Sequence, residues 1–205
     1  MPTPMTTPLP RRLFTAVLLG AALLPAAARA WTVDAAQLVR AARQQVGVTL
    51  GYDPRYQRIA YPGGDVPPET GVCTDVVIRA LRAQRIDLQK EVHEDMRAHF
   101  PAYPRHWGLT RPDRNIDHRR VPNLMTFFKR RGHALPVTRE ASSFRPGDIV
   151  TWDLGRNTPH IGIVSDRKTA QGEPMIIHNI GAGTREEGGL FAYRITGHYR
   201  LADPR

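Results

Sequence analysis

The sequence predicts an α+β domain, and the order of its patterns is what predicts it. Apolar residues recur at helical spacing through the first two-thirds of the chain. Short β-rich runs, separated by Gly, Pro and charged turns, fill the last third and suggest a small antiparallel sheet. A third observation gives this domain a centre: the single cysteine, Cys73, falls where one of the helices should begin.

The N-terminal residues 1–30 read as a cleaved signal peptide. Arg11 and Arg12 precede an apolar run from Leu13 to Leu24, and Ala28-Arg29-Ala30 suggests cleavage before Trp31. The run is shorter than the roughly 20 apolar residues of a membrane-spanning helix, so no stable membrane insertion is expected after cleavage. Residues 31–205 are read as a single domain with a periplasmic or otherwise exported location. Residues 1–30 hold three arginines and no acid, so the formal charge of +10 becomes +7 for the remainder. That balance suits an anionic cell envelope. No aromatic–basic RNA-binding signature is present, and no nucleic-acid partner is expected.

The spacing of Ala35, Leu38, Val39, Ala42 and Val46 predicts a helix from Trp31 to Val46, with Asp34 near its start and Gly47 beyond its end. A Pro- and Gly-dense loop follows from Gly51 to Thr70, with Tyr52, Tyr56 and Tyr61 interleaved. Tyrosines there could line a cleft and donate to a substrate, and Tyr61 is the candidate carried forward. Val76, Val77, Ala80 and Leu81 predict the next helix, with Thr70 as a possible cap and Cys73 in or beside the first turn. The positive end of a helix favours a thiolate. An exported protein normally pairs its thiols, so a solitary cysteine calls for a nucleophilic role, a buried apolar role or an intermolecular disulfide.

Two more helical stripes follow: Leu88, Val92, Met96 and Phe100, then Leu124, Phe127 and Phe128 before Gly132. Between them, Asn115-Ile116-Asp117-His118-Arg119-Arg120 reads first as a structural polar cluster and second as a substrate-recognition segment. His93 and His99 are six apart, not the four of a zinc-protease helix, and no required metal or other cofactor is expected.

Strands are predicted at Asp148–Trp152, Ile161–Ser165, Met175–His178 and Leu190–Ile195, with His198-Tyr199-Arg200 as a final one. On a period of two, His160 shares a face with Gly162 and Val164, and His178 shares one with Ile176. In an antiparallel pair His178 could orient the His160 imidazole. A thiol to attack a carbonyl, an imidazole to move the proton and a polar group to hold the imidazole are the parts of a cysteine hydrolase, so Cys73, His160 and His178 are the candidate catalytic residues.

At these residues the chain resembles the papain-like NlpC family of bacterial cell-wall peptidases and its amidase relatives. Tyr61-Pro62-Gly63-Gly64, Cys73, Gly147-Asp148, His160-Ile161-Gly162-Ile163 and His178 carry the likeness. The resemblance implies a papain-like core, a Cys-His-His triad and peptidoglycan or cell-wall peptides as substrate. In those relatives an acid before the cysteine helps receive a substrate amine. Val72 stands there in this chain, which leaves Asp75 as a substitute or as an acid that only stabilises the helix start. A closer resemblance, over nearly all of residues 31–205, is to an exported bacterial family known as domain of unknown function 1287. Gly71-Val72-Cys73-Thr74-Asp75, Asn115–Arg120, Pro159–Val164 and His178-Asn179-Ile180-Gly181 carry it, and Asn179 is the third candidate substrate contact. The resulting expectation is an exported cysteine amidase or endopeptidase; the alternative is a non-catalytic envelope-binding module on the same scaffold.

Overall fold

A computed structural model of the protein describes residues 31–201, so the expected signal peptide lies outside the described residues. Helix α1 runs Ala35–Arg43, shorter at both ends than the apolar spacing predicts. Its start is set by Asp34, whose Oδ1 accepts the Gln37 N–H at 2.9 Å. The turn beyond it is closed by Gly47 at φ +79°.

Two short strands, β1 (Gly51–Tyr52) and β2 (Thr70–Gly71), pair in parallel across the Pro-rich loop. Helix α2 (Cys73–Arg82) follows at once, with Val72 as its N-cap. The expectation that Thr70 caps this helix is therefore corrected. Thr70 is held beside Gly51, and the cap function passes to Asp75, whose carboxylate reaches back to the Val72 N–H at 2.6 Å. Helices α3 (Leu88–His99) and α4 (Val121–Arg130) complete the helical half, with Leu88, Val92, Met96, Leu124, Phe127 and Phe128 all buried as their spacing predicts.

The remaining strands form one antiparallel sheet of six, in the order β3-β8-β4-β5-β6-β7. They are β3 (Ala134–Leu135), β4 (Ile149–Asp153), β5 (Pro159–Lys168), β6 (Pro174–Asn179), β7 (Thr184–Glu187) and β8 (Arg194–Tyr199). Alternation divides its side chains cleanly. Ile149, Ile161, Ile163, Ile177 and Tyr199 join the core shared with all four helices. Val150, Trp152, Val164, Ile176 and Ile195 join a second cluster on the other face, closed by Phe144 and Leu190. The architecture is α+β, with the cysteine helix packed on the sheet.

Three sheet details depart from the sequence reading, the first being the short edge strand β3, which has no counterpart in it. The run from Leu190 to Ile195 is mostly loop, because Leu190 folds over Trp152 and accepts its indole N–H at 2.8 Å. Strand β7 has no counterpart in the reading, since Thr184-Arg185-Glu186-Glu187 lacks any apolar alternation. It is a charged edge strand, a form that discourages pairing with other chains.

Candidate active site

Cys73 is the first residue of α2, and its side chain is buried against the sheet. The groups closest to the sulfur in effect are the Ile161 N–H, the Tyr52 hydroxyl and the Thr74 N–H, each of which favours the anion. They do not prevail. Loss of water around the sulfur is the larger effect, and it pushes the thiol up to about 11, with the nearby Asp75 carboxylate adding to the rise. The expectation of a thiolate-prone cysteine is corrected accordingly: a helix N-terminus stabilises an anion less than full burial disfavours it.

The two histidines come together directly. His160 Nε2 lies 2.7 Å from His178 Nδ1, and the rings meet edge to face. The register Ile163↔Ile177 and Val164↔Ile176 puts Gly162 across from His178. A Cβ on Gly162 would sit 3.0 Å from His178 Cβ and 3.1 Å from the Ile177 carbonyl, so the histidine pairing depends on the bare glycine. Burial lowers the basicity of both rings, bringing His160 to about 3, with the neighbouring His178 acting in the same direction. Both are neutral at physiological pH.

A further member was absent from the sequence reading. Glu187 Oε1 lies 3.0 Å from His178 Nε2 and partly offsets the effect of burial on that ring. With neutral rings, Nε2 of His178 is the donor to this carboxylate and its Nδ1 the acceptor. That assignment makes His160 Nε2 the donor to His178 and leaves His160 Nδ1 bare. Among the described residues Nδ1 makes no hydrogen bond, and none joins His160 to Cys73. The thiol instead meets the chain one residue further on, at Ile161, from the helix-packed side of the sheet, while the histidines lie on the side of Trp152.

Three expected substrate contacts are placed otherwise. Tyr61 stands edge-on to His93 at 5.2 Å with the Arg114 guanidinium over its ring, and it is not part of the cleft beside Cys73. Tyr52 takes the place at the sulfur, because β1 runs alongside β2 directly before the cysteine. Asp75 is buried in a two-toothed ion pair with Arg119, both bonds 2.9 Å, besides holding the Val72 N–H. Both oxygens are bonded and the side chain is shut away from solvent, so its role is to brace the first turn of α2. Asn179 donates to the carbonyls of Gly51 and Gly71 at 3.1 and 3.2 Å and accepts the Gly181 N–H. It fastens β6 to β1 and β2 and has no donor to spare.

The polar segment Asn115–Arg120 has two functions. Arg119 braces Asp75, and its carbonyl accepts the Thr74 hydroxyl at 3.1 Å. Ile116, Arg119 and Arg120 also line a cleft of about 480 Å³, together with Tyr52, Tyr56, Cys73 and Trp107. The buried thiol at the start of α2 opens on this cleft, and the histidine pair lies on the other face of the strand whose first residue, Pro159, lines it.

The chain belongs to the family described as "Domain of unknown function (DUF1287)", whose profile matches residues 39–201. It is 58% identical over 159 residues to "Uncharacterized protein YijF" of Escherichia coli (strain K12), covering 78% of each chain. Among solved structures it is similar to NlpC2 from Trichomonas vaginalis, at 16% identity and a TM-score of 0.41, over 84% of this chain and 49% of that one. NlpC1 from the same organism gives 15% and 0.41, over 80% and 44%. The chain thus spans about half the length of these solved chains.

Proposed function

We propose that the protein is an exported cysteine amidase or endopeptidase acting on peptide or amide bonds of the bacterial cell wall. The observation that carries this reading is the hydrogen-bonded run His160–His178–Glu187, which begins on β5 one residue after Pro159, a wall of the cleft that holds Cys73. The envelope setting is supported by the +7 charge of residues 31–205 and by the sequence likeness to cell-wall peptidases.

In this reading the resting pair is a neutral thiol and a neutral imidazole. As Sγ attacks the carbonyl carbon, its proton passes to the bare Nδ1 of His160; the two groups do not meet at rest, so this step requires the start of β5 to turn His160 to the cleft side of the sheet when substrate binds. The imidazolium is held by His178, which is held in turn by Glu187. The Cys73 N–H and the Tyr52 hydroxyl are the donors for the oxyanion. Collapse expels the amine with the proton from Nδ1, leaving a thioester. Water, deprotonated by the same nitrogen, then releases the acid and restores the thiol.

A second reading, the non-catalytic envelope-binding module, is favoured by one observation: the Cys73 thiol is strongly protonated and not hydrogen-bonded to His160. Incubating residues 31–205 with purified peptidoglycan and identifying released fragments by mass separates the two. The hydrolase reading expects fragments that disappear in Cys73→Ala and in His160→Ala. Binding without fragments in the unsubstituted protein would replace it with the module.

A further inference from the structure

The walls of the cleft beside Cys73 hold two arginines, two tyrosines, a tryptophan and several apolar residues, but no acid. The two arginines differ in how far they are neutralised. Arg119 is consumed by Asp75, each side chain all but inaccessible. Arg120 has a single contact of this kind, Nη1 to Asp117 Oδ1 at 3.0 Å, while its Nε and Nη2 make no hydrogen bond among the described residues.

Its guanidinium carbon stands 4.0 Å over the Trp107 ring, a stacking that fixes the plane of the fork. Asp117 is itself committed, since its other oxygen accepts the Asp113 N–H. Burial makes the Arg120 charge harder to keep than an ordinary guanidinium, and the carboxylates of Asp117 and Asp113 offset only part of that. Val121 and Pro122, the first turn of α4, line the same cleft and turn the positive end of that helix towards it. Asp113, whose carboxylate accepts the Tyr56 hydroxyl, places a negative charge behind this wall, but the residues that themselves line the cleft carry only positive charge.

We propose that Arg120, stacked on Trp107, is a specificity residue that receives a carboxylate of the substrate within the cleft beside Cys73. The proposal rests on the hydrolase reading for the word substrate, but the binding step stands without turnover. It also accounts for the missing acid before the cysteine. A cleft with Val72 there, and with Asp75 fully engaged, has nothing to hold a substrate amine; it has a two-donor fork for an anion instead.

The test is protection of Cys73 from iodoacetamide at pH 9 and fixed ionic strength by N-acetyl-glutamate, with N-acetyl-glutamine as the isosteric neutral probe, each in both enantiomers. The expected result is protection by at least one glutamate enantiomer at concentrations at least about tenfold lower than its amide needs, weakening as salt rises. Arg120→Gln should abolish the preference and Arg120→Lys should keep part of it. Should Arg120→Gln fail to fold, the salt response and the probe pair on the unsubstituted protein decide alone. Equal protection by acid and amide, no protection by either, or a preference that survives Arg120→Gln overturns the proposal. The two readings fail separately. Carboxylate preference with no peptide ever cleaved removes the hydrolase and keeps the site, whereas cleavage indifferent to a neighbouring carboxylate keeps the hydrolase and removes the site.

Discussion

His160 and His178 meet nitrogen to nitrogen, Nε2 to Nδ1 at 2.7 Å, and only one proton can occupy that contact. Which ring supplies it is decided outside the pair, by Glu187 at the far nitrogen of His178. The carboxylate therefore acts on the nitrogen that faces away from both histidines' shared bond, namely Nδ1 of His160.

Glu187 should accordingly be a positioning residue. In ¹⁵N spectra of histidine-labelled protein, both rings should be Nε2-protonated in the unsubstituted chain, and Glu187→Leu should shift His178 towards a tautomer mixture. Turnover, once a substrate is in hand, should fall about 10- to 100-fold in Glu187→Leu and recover partly in Glu187→Gln, whose carbonyl still accepts. An unchanged tautomer pattern in Glu187→Leu would count against the relay.

Alkylation of Cys73 should be slow at neutral pH. With the thiol pushed up to about 11, iodoacetamide labelling of the folded protein should lag behind an ordinary thiol of pKa about 8.5, and should still be rising at pH 10. Tyr52→Phe, which removes a hydroxyl that favours the anion, should slow it further. Fast labelling below pH 7 would contradict the burial argument.

Gly162→Ala should both destabilise the fold and separate the histidines. The new methyl group would meet β6 at 3.0–3.1 Å, mostly backbone and Cβ atoms that cannot swing aside. A cost of about 1–3 kcal/mol is expected in urea denaturation, together with a changed His178 ring signal.

Breaking the Asp75–Arg119 pair on one side should cost about 3–5 kcal/mol, because either partner would be left as an uncompensated buried charge. Arg119→Met combined with Asp75→Leu should cost less than the sum of the two single changes. Additive losses would show that the two side chains act independently.

Acid should unfold the protein through its buried histidines. His118 and His160 are each brought down to about 3 from an ordinary 6.5, so between those pH values the unfolded chain binds protons that the folded one does not. Their contribution is intact above pH 6.5 and is lost as pH falls towards 3. For His118 the surrounding groups are Arg119 and Arg82, which oppose protonation, and Asp65 and Asp113, which favour it; burial is the largest effect, acts with the arginines and outweighs the two acids. Replacing His118 by Gln should flatten the stability–pH slope by about 1.4 kcal/mol per unit between pH 4 and 6.

The histidine pair was legible because a period of two carries information about faces: His160 with Gly162 and Val164, His178 with Ile176, and a glycine where the strands must approach. The apolar spacing of α2, α3 and α4 gave their buried faces for the same reason. Glu187 was not legible, since Thr184–Glu187 has no pattern that marks a strand, and its partner is named only by the pairing of β6 with β7. Motif spacing points to Tyr61 rather than Tyr52, and it contains nothing about the parallel pairing that carries Tyr52 to the sulfur. Asn179 and Asp75 were visible as polar groups close to the site; that their bonds are all spent on Gly51, Gly71, Val72 and Arg119 depends on contacts between distant parts of the chain.

The depth of Cys73 has a further consequence, for durability. Peroxides and disulfides react with the thiolate, and a sulfur that is shut away and kept protonated offers them very little of it. The folded chain therefore carries its one thiol in a form resistant to oxidation to sulfenic acid or capture as a mixed disulfide. Any chain caught before β5 and α2 have docked exposes that sulfur at its ordinary acidity. Oxidative damage would then fall on the immature molecules and spare the finished ones.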